Sequence, residues 1–212
     1  GQPLGRDILG NAERLRQYTT ADALRFTHRY YHPQNAVFYV YGDVPFAQIV
    51  RTLERLLPPT DFAAFTAPAL SSIPPQPQIT AQERIVSKGT HQAHVLIGAP
   101  TDARRFALLL LNNMLGGPGM NSRLSLSLRE KAGLVYSIDS YLNTYPDTGF
   151  WNVYFGCDAH DVGRCRRLLL RELRRFIERP LSSSQLAAAK KQLCGQVVIS
   201  TDAAEGYALA LG

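Results

Sequence analysis

The sequence predicts a chain of the α+β class, divided into two parts. Two runs rich in Tyr, Val, Phe and Trp, Val135 to Asn143 and Phe150 to Cys157, flank Tyr145-Pro146-Asp147-Thr148-Gly149. They read as an antiparallel hairpin with a longer loop. From Asp161 to Arg179 the pattern changes to that of a long amphipathic helix. The division comes from Pro58-Pro59, Pro68, Pro74-Pro75 and Pro77, which crowd residues 58–80 together with Ser71-Ser72. Proline at that density stiffens a chain and prevents helix or central strand.

At 212 residues and 45% hydrophobic, the chain can bury a core in one or two domains. No apolar run approaches the ~20 residues of a membrane span. The chain starts Gly1-Gln2-Pro3 without a methionine and stops within a helical-looking stretch. It reads as a piece of a longer protein, so a missing secretory signal carries no weight, and cytoplasm and periplasm both stay open. The net charge of +6 permits an acidic partner without demanding one. Cys157, Cys165 and Cys194 form no C-x-x-C pair and no disulfide framework; each sits among apolar residues and is expected to be a small core residue, compatible with a reducing compartment.

The first part, 1–57, reads as helix, strand, helix. Thr19-Thr20-Ala21-Asp22 caps a helix that should end near Tyr31, because the residue before Pro33 is pushed out of the α region. Ala36 to Tyr41 reads as a strand, and Pro45 opens a helix whose Phe46, Ile49, Val50, Leu53 and Leu57 form an apolar face. His28 and His32 share helical spacing, but no glutamate stands between them as in H-E-x-x-H, so no metal is expected there.

In the second part, 81–212, His94 to Ala99 reads as a strand with Arg84-Ile85-Val86 as a neighbour, and Arg105 to Leu115 as an apolar core helix. His91 and His94 lie three apart in an extended run, hence on opposite faces, which argues against a shared metal. On the 161–179 helix, Val162, Cys165, Leu169, Leu170, Leu173, Phe176 and Ile177 should face the core. Arg164, Arg167, Arg171, Arg174, Arg175 and Arg179 should face solvent. Such a stripe suits nucleic acid or an acidic membrane, but no aromatic residue interleaves for stacking and Glu178 interrupts it, so a solvated face is expected and neither partner is assigned. Ser182-Ser183-Ser184-Gln185 supplies a capping box for a last helix through Leu186, Leu193 and Val197.

The chain is organised around Leu115 to Tyr136. Gly116, Gly117, Pro118 and Gly119 open it, and glycine there permits positive φ or close backbone approach. A cap-like Asn121-Ser122 and a stop at Gly133 bracket a helix despite the strand-like LSLSL alternation at 124–128. Arg129 and Tyr136, at a helix end and a strand start, are placed to converge on one ligand.

Two sets of motifs, in this order, carry a resemblance. GQPLGRDILG, a helix, YYHPQNAVFYVYGDV and an amphipathic helix resemble the later half of the first domain of insulinase/pitrilysin-type zinc peptidases, the inverzincins, which include the mitochondrial processing peptidases. NSRLSLSLREKAGLVYS, the hairpin and two closing helices resemble the next, non-zinc domain of the same proteins, most closely in two-domain bacterial members. The resemblance implies an α+β unit, a mostly antiparallel sheet with helices on one face, preceded by part of a similar domain. It implies two such domains around a chamber that takes unfolded peptides. It implies zinc, held in the first domain by H-x-x-E-H and a distant glutamate. None of the five histidines, 28, 32, 91, 94 and 160, begins that motif, so zinc is expected in the parent enzyme and no metal or catalytic residue is assigned here.

The resemblance also places Arg129 and Tyr136 on the substrate side, the guanidinium on a carbonyl or carboxylate and the phenol on the developing oxyanion. Gly116, Gly117 and Gly119 match a glycine-rich substrate loop. The implied partners are a peptide and the missing zinc-binding half or a homologous subunit, with a homodimer also open. The alternative is a non-catalytic peptide-binding or scaffold subunit of the same fold.

Overall fold

The computed structural model describes residues 5–57, 80–101, 106–145 and 148–211. The proline-rich stretch up to residue 79, Arg105, and Pro146-Asp147 of the hairpin loop lie outside the described residues. The chain separates into two compact units, Gly1–Pro68 with Thr201–Gly212, and Ala69–Ser200.

Local capping builds the first unit. A short helix that the pattern did not announce, α1 (Ala12–Gln17), starts where the Asn11 side chain accepts from the Glu13 and Arg14 amides. In α2 (Thr20–Tyr30) the capping box is complete: Thr19 Oγ1 accepts from the Asp22 amide, and Asp22 Oδ2 accepts from the Thr19 amide. Pro45 caps α3 (Phe46–Leu56) from outside rather than serving as its first residue. Two expectations fail here. Residues 36–41 are extended but pair with no strand, because among the described residues none offers them a ladder. The apolar face of α3 is only half covered, with Phe46 exposed, and no described residue in 5–57 is buried. The helix α7 (Ala204–Leu211) belongs to this unit and sets Tyr207 edge-on against Tyr39.

The second unit holds the core. Its sheet has three antiparallel strands in the order β1 (Gln92–Pro100), β3 (Gly149–Asp158), β2 (Val135–Thr144). The expected neighbour at Arg84-Ile85-Val86 is not a strand, and Ile85 and Val86 are exposed; β3, from the hairpin, takes the inner edge of β1 instead. One face of the sheet, with Val135, Ile138, Val153, Phe155 and Cys157, packs into a core with Leu115 of α4 (Phe106–Gly116) and Cys165 and Leu169 of α5 (Val162–Glu178). Leu173 and Phe176 pack against that core, whereas Ile177, expected with them, is 82% exposed. Cys157 and Cys165 are core residues as expected; Cys194, on α6 (Ser183–Thr201), is exposed. The capping box at Ser182 and Gln185 is formed.

A buried polar network ties α4 to the hairpin. Ser140 Oγ donates to Asn112 Oδ1 at 2.6 Å and accepts from Trp151 Nε1 at 2.9 Å, while Asn112 Nδ2 donates to the Ser140 carbonyl at 3.1 Å. Every polar atom named is paired, which fixes where α4 delivers its glycine-rich end. Among the described residues no helix is long and apolar enough to cross a membrane.

Candidate functional site

The glycines at the end of α4 answer to the protein's own packing. A Cβ at Gly116 would stand 2.7 Å from the Ser140 Cβ, and one at Gly117 would stand 2.6 Å from the Asn113 carbonyl. A Cβ at Gly119 would meet Asn121 Oδ1 at 2.4 Å. None of the three has a positive φ, so close approach is the reason for glycine here. Asn121 does not cap the next helix; it hydrogen-bonds Gln192 of α6.

Arg129 lies on a turn of different geometry from the α-helix its brackets predict. Ser125–Glu130 is a π-helix, closed by the Lys131 amide donating to the Leu126 carbonyl. Both Leu124 and Leu128 are fully buried while Leu126 is exposed, so the LSLSL alternation is met by a widened turn. Widened turns of this kind are frequent at functional sites. Gly133, at φ +62°, ends it in a Schellman-like closure. The Gly133 amide donates to the Arg129 carbonyl and the Leu134 amide to the Leu128 carbonyl, each bond one residue wider than in the α form. The turn is held from behind by Glu172, a buried carboxylate on α5 that accepts from Ser127 Oγ at 3.2 Å and from Arg175 at 2.7 Å. Part of the arginine stripe therefore supports this turn. The Arg129 side chain is 48% exposed and, among the described residues, its ion pair is with Glu130, at 3.8 Å. Such a surface pair is worth about 0–1 kcal/mol, so it leaves the guanidinium available.

Tyr136 owes its direction to a β-bulge. Val135 opposes Cys157 and Ser137 opposes Gly156, which leaves Tyr136 as the extra residue of β2. By simple alternation Tyr136 would share the core face with Ile138 and Ser140, both buried. The bulge gives that place to Val135 and turns Tyr136 out, 58% exposed, onto the face of the sheet opposite the core cluster. Its hydroxyl donates to Asp158 Oδ1 at 2.9 Å, and that hydrogen bond, then the carboxylate's charge, holds the phenol above its usual range. Among the described residues no hydrogen bond joins Arg129 to Tyr136. The same face carries His94, whose Nδ1 lies 2.7 Å from the Tyr154 hydroxyl.

Asp158 is the residue that sequence reasoning missed, since nothing local links it to a tyrosine 22 positions earlier. Asp158, His160 and Asp161 bring one ligand atom each within 4.8 Å of one another. With one exposed imidazole and two aspartates ahead of α5, the group does not match the H-x-x-E-H and glutamate set, and the carboxylates suit the start of a helix.

The profile described as peptidase M16 inactive domain matches residues 17–193. An uncharacterised zinc protease of Streptomyces coelicolor is 32% identical over 94% of this chain and 45% of its own length. A protease from Helicobacter pylori superposes with a TM-score of 0.72 at 18% identity, covering 94% of this chain and 50% of that one. A peptidase M16 inactive domain from Pseudomonas fluorescens does so with a TM-score of 0.67 at 22% identity, covering 89% and 46%. The chain thus spans about half the length of the curated relatives it matches.

Proposed function

The chain belongs to the peptidase M16 inactive-domain family, and on that footing we propose that it is the peptide-gripping, non-zinc part of a zinc metallopeptidase. Zinc, held by residues outside this chain, supplies the activated water. The residues here bind and orient: Arg129 takes a carbonyl or carboxylate of the peptide, and Tyr136 offers its hydroxyl to the reacting carbonyl. Gly116, Gly117 and Gly119 shape the substrate loop of this reading. The observation that supports this best is the bulge, which leaves a large aromatic hydroxyl exposed on the face opposite the core where simple alternation would bury it. Peptide, and a zinc-bearing half or homologous subunit, are the partners.

The test is kinetic and uses the full-length protein with its zinc half. Arg129→Ala and Tyr136→Phe should each lower kcat/KM on a fluorogenic peptide by about tenfold to a hundredfold. The melting temperature should stay within a degree or two. Unchanged turnover rejects both roles. A second reading, a non-catalytic scaffold or peptide-binding subunit, is equally compatible with the absence of H-x-x-E-H from the five histidines of this chain. It predicts that the full-length protein purifies without stoichiometric zinc and cleaves no peptide.

A further inference from the structure

We propose that Asp158 restrains Tyr136: in the resting chain it holds the phenol's single donatable proton, and a peptide engages Tyr136 only by drawing that hydroxyl away. The inference rests on the reading of Tyr136 as a peptide-facing donor. A phenol has one O–H, and here it is spent on Asp158 Oδ1 at 2.9 Å. A hydroxyl so committed cannot also donate to a peptide carbonyl or an oxyanion. The carboxylate works against that task a second way, because a phenol held above its usual range is a weaker donor to any other acceptor. At neutral pH the phenol is protonated with or without Asp158, so the pairing brings no gain in protonation.

The surroundings make the restraint releasable. Tyr136 is the unpaired residue of the bulge, so no residue of β3 stands directly opposite it and Asp158 Oδ1 is its hydrogen-bond partner there. Directly opposite Ser137 stands Gly156, where even an added Cβ would meet only Ser137 Oγ at 3.6 Å and the Tyr154 hydroxyl at 3.8 Å. Tyr136 itself is 58% exposed, so its ring has solvent to turn toward. Asp158, for its part, precedes the first turn of α5 through Ala159–Asp161, where a carboxylate is favoured without any help from Tyr136. Of the charged or ionisable groups that act on the phenol, Asp158 leads, with Cys157 and Asp161 behind it. Asp158 is thus a positioning residue that acts through Tyr136.

In the full-length protein, Asp158→Ala should raise kcat/KM by about threefold to tenfold, and Asp158→Asn, which keeps an uncharged acceptor, by less. In a Tyr136→Phe background the same changes should have no effect, since no hydroxyl remains to be released. In the 212-residue chain labelled with 13C-tyrosine, the Tyr136 resonance should titrate at lower pH in Asp158→Ala than in the unaltered chain. Turnover at or below the unaltered level in Asp158→Ala, with Tyr136→Phe still impaired, overturns the restraint and leaves the proposed function standing. A Tyr136 titration that does not move overturns it as well. Tyr136→Phe without effect on turnover removes both.

Discussion

Residues 36–41 and the strand β3 have nearly the same composition and opposite fates. AVFYVY is as rich in β-branched and aromatic residues as FWNVYF. Yet β3 is a central strand with a partner on each side and Val153, Phe155 and Cys157 fully buried, whereas 36–41 has no ladder partner among the described residues, with Val37, Phe38, Val40 and Tyr41 exposed. The helices around 36–41 form all the same, because a helix satisfies its backbone internally and its ends by caps such as Thr19 with Asp22. A strand must find its hydrogen bonds elsewhere. β-Propensity therefore describes fitness for a sheet and does not create one.

The sharpest way to press the contrast is to truncate the centre of β3. Phe155→Ala should cost about 3–5 kcal/mol, since the ring is fully buried between sheet and helices. Urea denaturation followed through Trp151, on the same strand, reads it. A cost below about 1 kcal/mol would mean that the core collapses to fill the space and that β3 is less central than its burial indicates.

The buried end of β3 gives a pH test of the same difference. Cys157 and Cys165 hydrogen-bond each other in the core, and burial pushes the Cys165 thiol from 9.0 up to about 12 and raises Cys157 as well. Unfolded, both thiols lose their protons near the ordinary value; folded, they keep them. The unfolded state thus binds fewer protons than the folded one above pH 9, and stability falls as pH rises from there toward 12. The melting temperature should drop over that window, and Cys165→Ala should flatten the drop while lowering stability at neutral pH. Among the described residues the first unit holds no such thiol pair, and its Tyr39 phenol, raised by desolvation, adds a slope of the same sign.

How much of this was legible follows the same physics. Elements that close on themselves could be read: α2 and α6 from capping boxes, α5 from its period, and the β2–β3 hairpin from its flanking runs. What depended on a distant partner could not. Alternation puts Tyr136 on the side of Ile138, and only the register against β3 shows the bulge that reverses it. Glu172 reads as an acid within a basic helix face until Ser127 is seen donating to it. Gly116 could serve positive φ or close approach, and Ser140 against it decides for the second. Of the candidate site, Arg129 and Tyr136 were nominated from their motif, and Asp158 was not nominated at all.

The smallest expected effect lies in 36–41 itself. Phe38→Ala and Val40→Thr should each change the stability of this chain by less than about 0.5 kcal/mol, because both side chains are already half exposed and no ladder is lost. Equilibrium unfolding at two protein concentrations makes the result decisive. An unpaired, apolar, extended segment is a template for another strand, so a copy of the chain could pair with it at high concentration. If the substitutions cost more than about 1 kcal/mol only in the concentrated sample, a second copy supplies the ladder and 36–41 becomes a strand of the β3 kind. If they cost that much in both, the partner lies within the chain, and the contrast between the two segments is lost.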